Sequence, residues 1–173
     1  MADFLKVEDV INELNLAESM VVAEFGCGSA HFAITLAKKL KQGRVYALDI
    51  QEEKLSALKG KLSVEKITNV VSILCDLETP RGSTLPDNSL DVVLIPNVLF
   101  QVEDKSAIIK EAARVLNKGG RLLVIDWLKG SPFGPKTGIV TPEAAKEMAM
   151  SSGFSLVKEF VSGDYHFALI FTK

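Results

Sequence analysis

Apolar and polar positions along the chain follow two rhythms. Predominantly apolar runs, the mark of strands buried on both faces, fill residues 20–25, 45–50, 70–74, 90–96 and 121–127. Between them apolar residues return every third or fourth position, as on one face of a helix. Phe32, Ala33, Leu36, Ala37 and Leu40 form such a face, and Leu55, Leu58 and Leu62 form another, with Gly60 a weak point in it. Ile108, Ala112, Val115 and Leu116 predict a third helix over 103–116, closed by Gly119 and Gly120. Phe4, Val7, Val10, Ile11 and Leu14 predict an amphipathic helix over residues 4–18. It precedes the first strand, so residues 1–19 read as a helical add-on to the sheet.

The punctuation agrees with this alternation. Gly43 stops the first core helix, and the turn-rich residues 79–89 lead into a fourth strand ended by Pro96. Thr141-Pro142-Glu143 starts a helix that runs to Gly153, with a capping hydroxyl, a first-turn proline and an acid at the positive dipole end. Residues 154–161 and 165–172 then form a β-hairpin around Ser162, Gly163 and Asp164. Residues 128–140, with three glycines and two prolines, have no period, and a loop of that length reads as a lid. The sum is an α/β single domain over 1–173. It is a Rossmann-like, seven-stranded, mostly parallel sheet with an antiparallel last strand and helices on both faces, a three-layer αβα sandwich.

Composition narrows the function classes. The 173 residues are 47% hydrophobic and carry a net charge of −2, so no global field favours nucleic acid or an anionic membrane. Lys38, Lys39 and Lys41 read as the solvated face of a helix. No apolar run approaches the ~20 residues of a membrane span, and no secretory leader opens the chain. Two cysteines make neither a disulfide framework nor a zinc site, so we expect a reduced, cytoplasmic protein with no metal. The composition leaves room for a homo-oligomer.

Ligands of open parallel sheets bind beyond the carboxyl ends of the strands. Glu24 to Gly28, Asp49, Asp76, Pro96-Asn97 and Asp126-Trp127 gather there, joined by Asp164, Tyr165 and His166 because the last strand runs backwards. Gly26-Cys27-Gly28-Ser29-Ala30 turns from strand to helix, where backbone can approach a ligand closely. Asp49 is placed to accept from a ribose diol. A nicotinamide dinucleotide would want a third glycine where His31 stands, and Glu24 would repel its pyrophosphate. Glu24 suits a ligand carrying an ammonium group instead, which points to S-adenosylmethionine.

These motifs resemble the class I S-adenosylmethionine-dependent methyltransferases over residues ~20–172, in the compact form of the domain found in ubiquinone and menaquinone biosynthesis. EFGCGSA (24–30) resembles their first motif, with Ala30 in place of a frequent third glycine. ALDI (47–50) resembles the ribose motif, which implies Asp49 on the hydroxyls and Ile50 against adenine. CDLE (75–78) resembles the adenine motif, which implies Asp76 on the exocyclic amine and Leu77 offering its backbone. The implied cofactor site is Glu24, Gly26, Cys27, Gly28, Asp49, Ile50, Asp76, Leu77 and Asn97. The implied activity is methyl transfer to a small, partly apolar acceptor.

The sulfonium activates the methyl, so the chain needs no nucleophile, only alignment and, for a hydroxyl acceptor, a base. Asp126, His166 and Tyr165 are the catalytic candidates, with Asn97 as an orienting amide. Alternation of side chains sends Tyr165 and His166 to opposite faces, so one of the pair faces the site. Phe4, Phe100, Trp127 and Phe133 are expected to line the acceptor pocket, and Cys27 and Cys75 to be apolar fillers. Pro96-Asn97-Val98-Leu99 is not the Asn-Pro-Pro-Tyr type of motif used on amide or exocyclic amine nitrogens. A non-catalytic cofactor-binding module and a nicotinamide-dependent oxidoreductase remain the alternatives.

Overall fold

The computed structural model describes residues 4–173; Met1, Ala2 and Asp3, the start of the expected N-terminal add-on, lie outside the described residues. Seven strands form one sheet: β1 (Val21–Phe25), β2 (Arg44–Asp49), β3 (Val70–Leu74), β4 (Leu90–Pro96), β5 (Leu116–Trp127), β6 (Ser155–Ser162) and β7 (His166–Thr172). Their order is β3-β2-β1-β4-β5-β7-β6, parallel except for β7, which runs antiparallel to both β5 and β6. The crossover order brings β1 and β4 side by side at the centre, with the ends of β1, β2, β4 and β5 on one edge.

Helices cover both faces. On one side α1 (Val7–Asn12), α2 (His31–Lys39) and α3 (Glu52–Glu65) bury Ile11, Leu36 and Leu58 against Val22, Val45, Val92 and Ile170. On the other, α4 (Lys105–Val115) and α5 (Pro142–Ser151) bury Ile109, Ala112, Ala145 and Ala149 against Phe25, Val93, Val124 and Phe171. The expected sandwich and its reversed last strand are both present. Lys38, Lys39 and Lys41 are solvated as expected, reaching Glu65, Asn12 and Glu18.

Three boundaries differ from the sequence expectation. The first helix is only Val7–Asn12, because Asn15 takes a left-handed φ of +46° and turns the chain, although Leu14 stays fully buried. The helix expected over 103–116 starts after Asp104, whose side chain accepts from Ala107 N at 3.0 Å. Gly119 and Gly120 do not close that helix; β5 has already begun at Leu116, paired with Leu90, and an irregularity follows between Leu90 and Val92.

The turn-rich passage before β4 is tied down by buried polar groups. Ser83 N and Oγ both donate to Glu111 Oε1, and Arg114 Nε donates to Glu111 Oε2 at 2.9 Å. The guanidinium and the Ser83 donors hold the Glu111 carboxyl below the usual range even against its burial.

Candidate active site

The site begins where β1 stops. Gly26 (φ +81°) and Gly28 (φ +38°) turn the chain with backbone angles that side chains resist, and a Cβ on Gly26 would collide with Val98. Gly26 N and Cys27 N donate to Leu48 O at 2.8 and 2.9 Å, and Ala30 N donates to Cys27 O at 2.7 Å. Ala30 itself sits at φ +71° as the N-cap of α2. Its methyl is therefore not neutral in place of glycine: the left-handed angle costs an alanine about 1–2 kcal/mol, partly offset by burial of the methyl.

A cavity of about 850 Å³ opens over this turn and runs along the strand ends. At one end Asp49 uses both oxygens, Oδ2 accepting from Gly28 N at 3.1 Å and Oδ1 from Gln51 N at 3.0 Å. The glycine turn and the approach to α3 are thereby fixed to one carboxylate on the cavity wall. Asp76 Oδ1 accepts from Glu78 N at 2.9 Å, beside the buried Leu77. Ile50 is 63% exposed and lies on the cavity wall, an apolar plate without a protein neighbour to cover it. Cys27 and Cys75 also line the cavity; burial above all pushes their thiols up to about 12 and about 11, so both stay protonated.

Glu24 stands at the centre. It is 2% exposed, lines the cavity, and its Oε2 has no hydrogen-bond partner. Burial raises its pKa well above the usual carboxylate range, and the nearby charge of Asp49 adds to this. A buried carboxylate with one unpartnered oxygen facing a cavity fits a cationic ligand. The Asp49, Asp76 and Ile50 end fits a ribose and an adenine, so the donor set matches S-adenosylmethionine. His31 is exposed on α2 at the cavity rim, its Nδ1 3.3 Å from Ser29 Oγ, which leaves no glycine-tight turn for a dinucleotide.

The other end of the cavity is built by residues at the ends of β4, β5 and β7. Asn97 follows β4 with φ +56°, donating its N–H to Ile125 O at 2.8 Å and accepting from Gln101 Nε2 at 2.6 Å. Its buried Oδ1 has no partner, and the residue lines the cavity. Trp127 and His166 are register partners across β5 and β7, with ring centroids 4.2 Å apart. His166 is 2% exposed, neither ring nitrogen has a partner, and burial moves its pKa below 6.5, so it is neutral.

The other catalytic candidates stand elsewhere. Asp126 points away from the cavity wall, as alternation beside Trp127 requires; its Oδ1 accepts from Trp127 N at 2.8 Å. Tyr165 packs its ring at 5.4 Å from both Phe4 and Phe133 instead of lining the cavity. Of the four expected aromatics, Phe4 and Trp127 line the cavity and Phe100 and Phe133 do not. Gly138 of the 128–140 loop packs on the Phe100 carbonyl, which ties the two segments together. Gln51, Lys54 and Gln101 are wall residues the sequence reading missed, since polar residues one turn beyond a strand end carry no distinguishing pattern.

The sheet order and strand-end cavity define a Rossmann-like methyltransferase fold. A methyltransferase-domain family model matches residues 16–152. The chain belongs to the class I S-adenosylmethionine-dependent methyltransferases. It is 32% identical over 132 residues to the demethylmenaquinone methyltransferase of Geobacillus kaustophilus, covering 73% of this chain and 53% of that protein. It is likewise 32% identical over 110 residues to the ubiquinone/menaquinone biosynthesis C-methyltransferase UbiE of Hydrogenovibrio crunogenus, with 63% and 42% covered. The chain thus spans about half the length of the curated relatives it matches. In fold it is similar to a SAM-dependent methyltransferase from Aquifex aeolicus, with TM-score 0.87, 23% identity, and 96% and 89% of the two chains covered. Among the described residues no helix is long and apolar enough to cross a membrane, and no cluster of His, Cys, Asp or Glu could hold a metal.

Proposed function

We propose that this chain binds S-adenosylmethionine and directs its methyl group to a small, partly apolar acceptor. The observation that carries the reading is the buried, unpartnered Glu24 oxygen on the cavity wall beside the glycine turn. When bound, the cofactor supplies an electrophilic methyl on a sulfonium. Glu24 holds the cationic amino-acid end, Gly26, Cys27 and Gly28 let it approach the backbone, and Asp49 accepts from the ribose. Ile50, Asp76 and Leu77 frame the adenine.

At the other end Phe4 and Trp127 present apolar surface to the acceptor and exclude water. Asn97 Oδ1 accepts a hydrogen bond from the acceptor, and a His166 ring nitrogen takes the proton of a hydroxyl acceptor. Asp126 and Tyr165 act from behind the wall, fixing Trp127 and the aromatic rim. The 128–140 loop and the N-terminal segment close over the acceptor as a lid, since Phe133 of the loop meets Phe4 at 5.4 Å. Demethylmenaquinone, named in the relatives, is one partly apolar acceptor of this kind.

Calorimetry with S-adenosylmethionine, S-adenosylhomocysteine and a reduced nicotinamide dinucleotide tests the cofactor, and only the first two should bind. Release of S-adenosylhomocysteine over a panel of small hydroxyl and amine acceptors, with demethylmenaquinone included, tests the reaction. Tight binding with no turnover on any acceptor would make the chain a holding module instead. Asp49→Ala removes a charged acceptor and should weaken cofactor binding by about 10- to 100-fold; unchanged affinity would refute the site.

A further inference from the structure

The two edges of the sheet are built in opposite ways. β6 carries Lys158 and Glu159 in its middle and a register irregularity between Leu156 and Lys158, devices that discourage pairing with another strand. β3, at the other edge, reads Val70-Val71-Ser72-Ile73-Leu74, with no charge, proline or irregularity. Val71 is 38% and Leu74 56% exposed there. An open strand of this kind is a template for a further strand.

The hydrogen-bond directions fix what that strand can be. Val45 N donates to Asn69 O at 2.9 Å and Cys75 N donates to Asp49 O at 3.0 Å, so the odd-numbered residues of this segment bond to β2. Only alternate residues of a parallel strand bond one neighbour, so the N–H and C=O groups of Val70, Ser72 and Leu74 point to the open side. Side chains of antiparallel partners share a face, so a copy related by a two-fold axis pairs residues of equal parity. An axis through Ser72 meets both demands at once. Ser72 faces Ser72 of the copy as a hydrogen-bonded pair, Val70 faces Leu74, and Val71 faces Ile73. Every outward main-chain group finds a partner and every side-chain pair outside the axis is apolar.

Charge selects the same direction. Lys66 precedes β3 by four residues and Glu78 follows Leu74 by four. Glu65 beside Lys66 is paired with Lys38, and Glu78 Oε1 accepts from Asp104 N. Antiparallel pairing therefore brings the Lys66 end of one copy beside the Asp76 and Glu78 end of the other, where a parallel arrangement would set acidic ends together.

We propose that the β3 edge is a homodimer interface, on which a second copy of this chain pairs antiparallel about Ser72 to make one continuous sheet across both copies. The interface lies on the strand's flank, so the cavity at the strand ends of each copy stays open.

Sedimentation velocity over a wide concentration range should show twice the chain mass, dissociating on dilution. Ser72→Lys and Ser72→Glu each place like charges on the axis and should sediment as monomers, while their equimolar mixture should recover the dimer. Hydrogen exchange of the unaltered protein gives a second reading that needs no variant. The Ser72 and Leu74 amides should be protected when concentrated and exchange freely when dilute, with Val71 and Ile73 protected throughout. A wild-type monomer at every concentration, a dimeric Ser72→Lys variant, a mixture that stays monomeric, or Ser72 and Leu74 amides insensitive to dilution would each overturn the proposal.

Discussion

Among the described residues, Glu24, Asn97, Asp126 and His166 each bury a side-chain atom that has no hydrogen-bond partner. Leaving such a group unmade costs about 1–3 kcal/mol, and three of the four line the cavity, where a ligand can satisfy them. Glu24→Gln should therefore raise the melting temperature of the free protein while lowering S-adenosylmethionine affinity by about tenfold or more, the worth of one charge-assisted contact. Melting with and without cofactor checks both signs. Because burial raises the Glu24 pKa and a cationic ligand favours the anion, affinity should increase as pH rises through that pKa.

As the proposed base His166 works only while neutral, and burial lowers its pKa, so kcat should rise with pH through a midpoint below 6.5. His166→Gln should lower kcat by about 10²-fold or more and leave cofactor affinity alone, which turnover and calorimetry separate. Asp126 behaves in the opposite sense. Burial lifts its carboxyl from 3.8 to about 6, so the native state holds that proton more tightly than the unfolded chain. Its contribution to stability is complete below 3.8 and lost as pH rises through about 6. The wild type should lose up to about 3 kcal/mol relative to Asp126→Asn on going from acid to neutral pH, measured by urea denaturation.

At the scale of elements, Asp104 does what caps do elsewhere, and Asp104→Ala should cost about 1 kcal/mol of stability without changing cofactor affinity. The five parallel strands were legible because a sheet covered by helices writes them as predominantly apolar runs. That Glu24, Asp49 and Asp76 share one cavity wall was legible for a related reason: topology sends them to one edge, whatever their neighbours. The length of α1 was not legible, since it turns on the left-handed angle of Asn15, which the apolar phase does not record. Nor was the choice between Asp126 and Trp127, or between Tyr165 and His166. Alternation says that such neighbours face opposite ways, but only the register of β5 with β7 says which pair meets the cavity.

For the whole molecule, the two halves of the cavity differ in how they are held. The end proposed for the cofactor rests on a glycine turn bonded to Leu48 of the sheet and to the Asp49 carboxylate, while the end proposed for the acceptor is bordered by the rings of Phe4, Phe133 and Tyr165 from three separate segments. Phe133 is 60% exposed and packs on Phe4 instead of lining the cavity, so Phe133→Ala should leave folding and cofactor binding intact and, by loosening Phe4 in the proposed lid, raise acceptor KM by about tenfold. Steady-state kinetics at saturating cofactor checks it. The insertion of β7 between β5 and β6 has a consequence for synthesis. While the chain emerges from the ribosome, β5 keeps a bare apolar edge until β7 has been made and threads in beside it. His166 reaches the cavity only when β7 docks, so a nascent chain completes the strand ends that carry Glu24, Asp49 and Asp76 well before the end of the cavity that His166 lines. That interval is when a chaperone would be needed most.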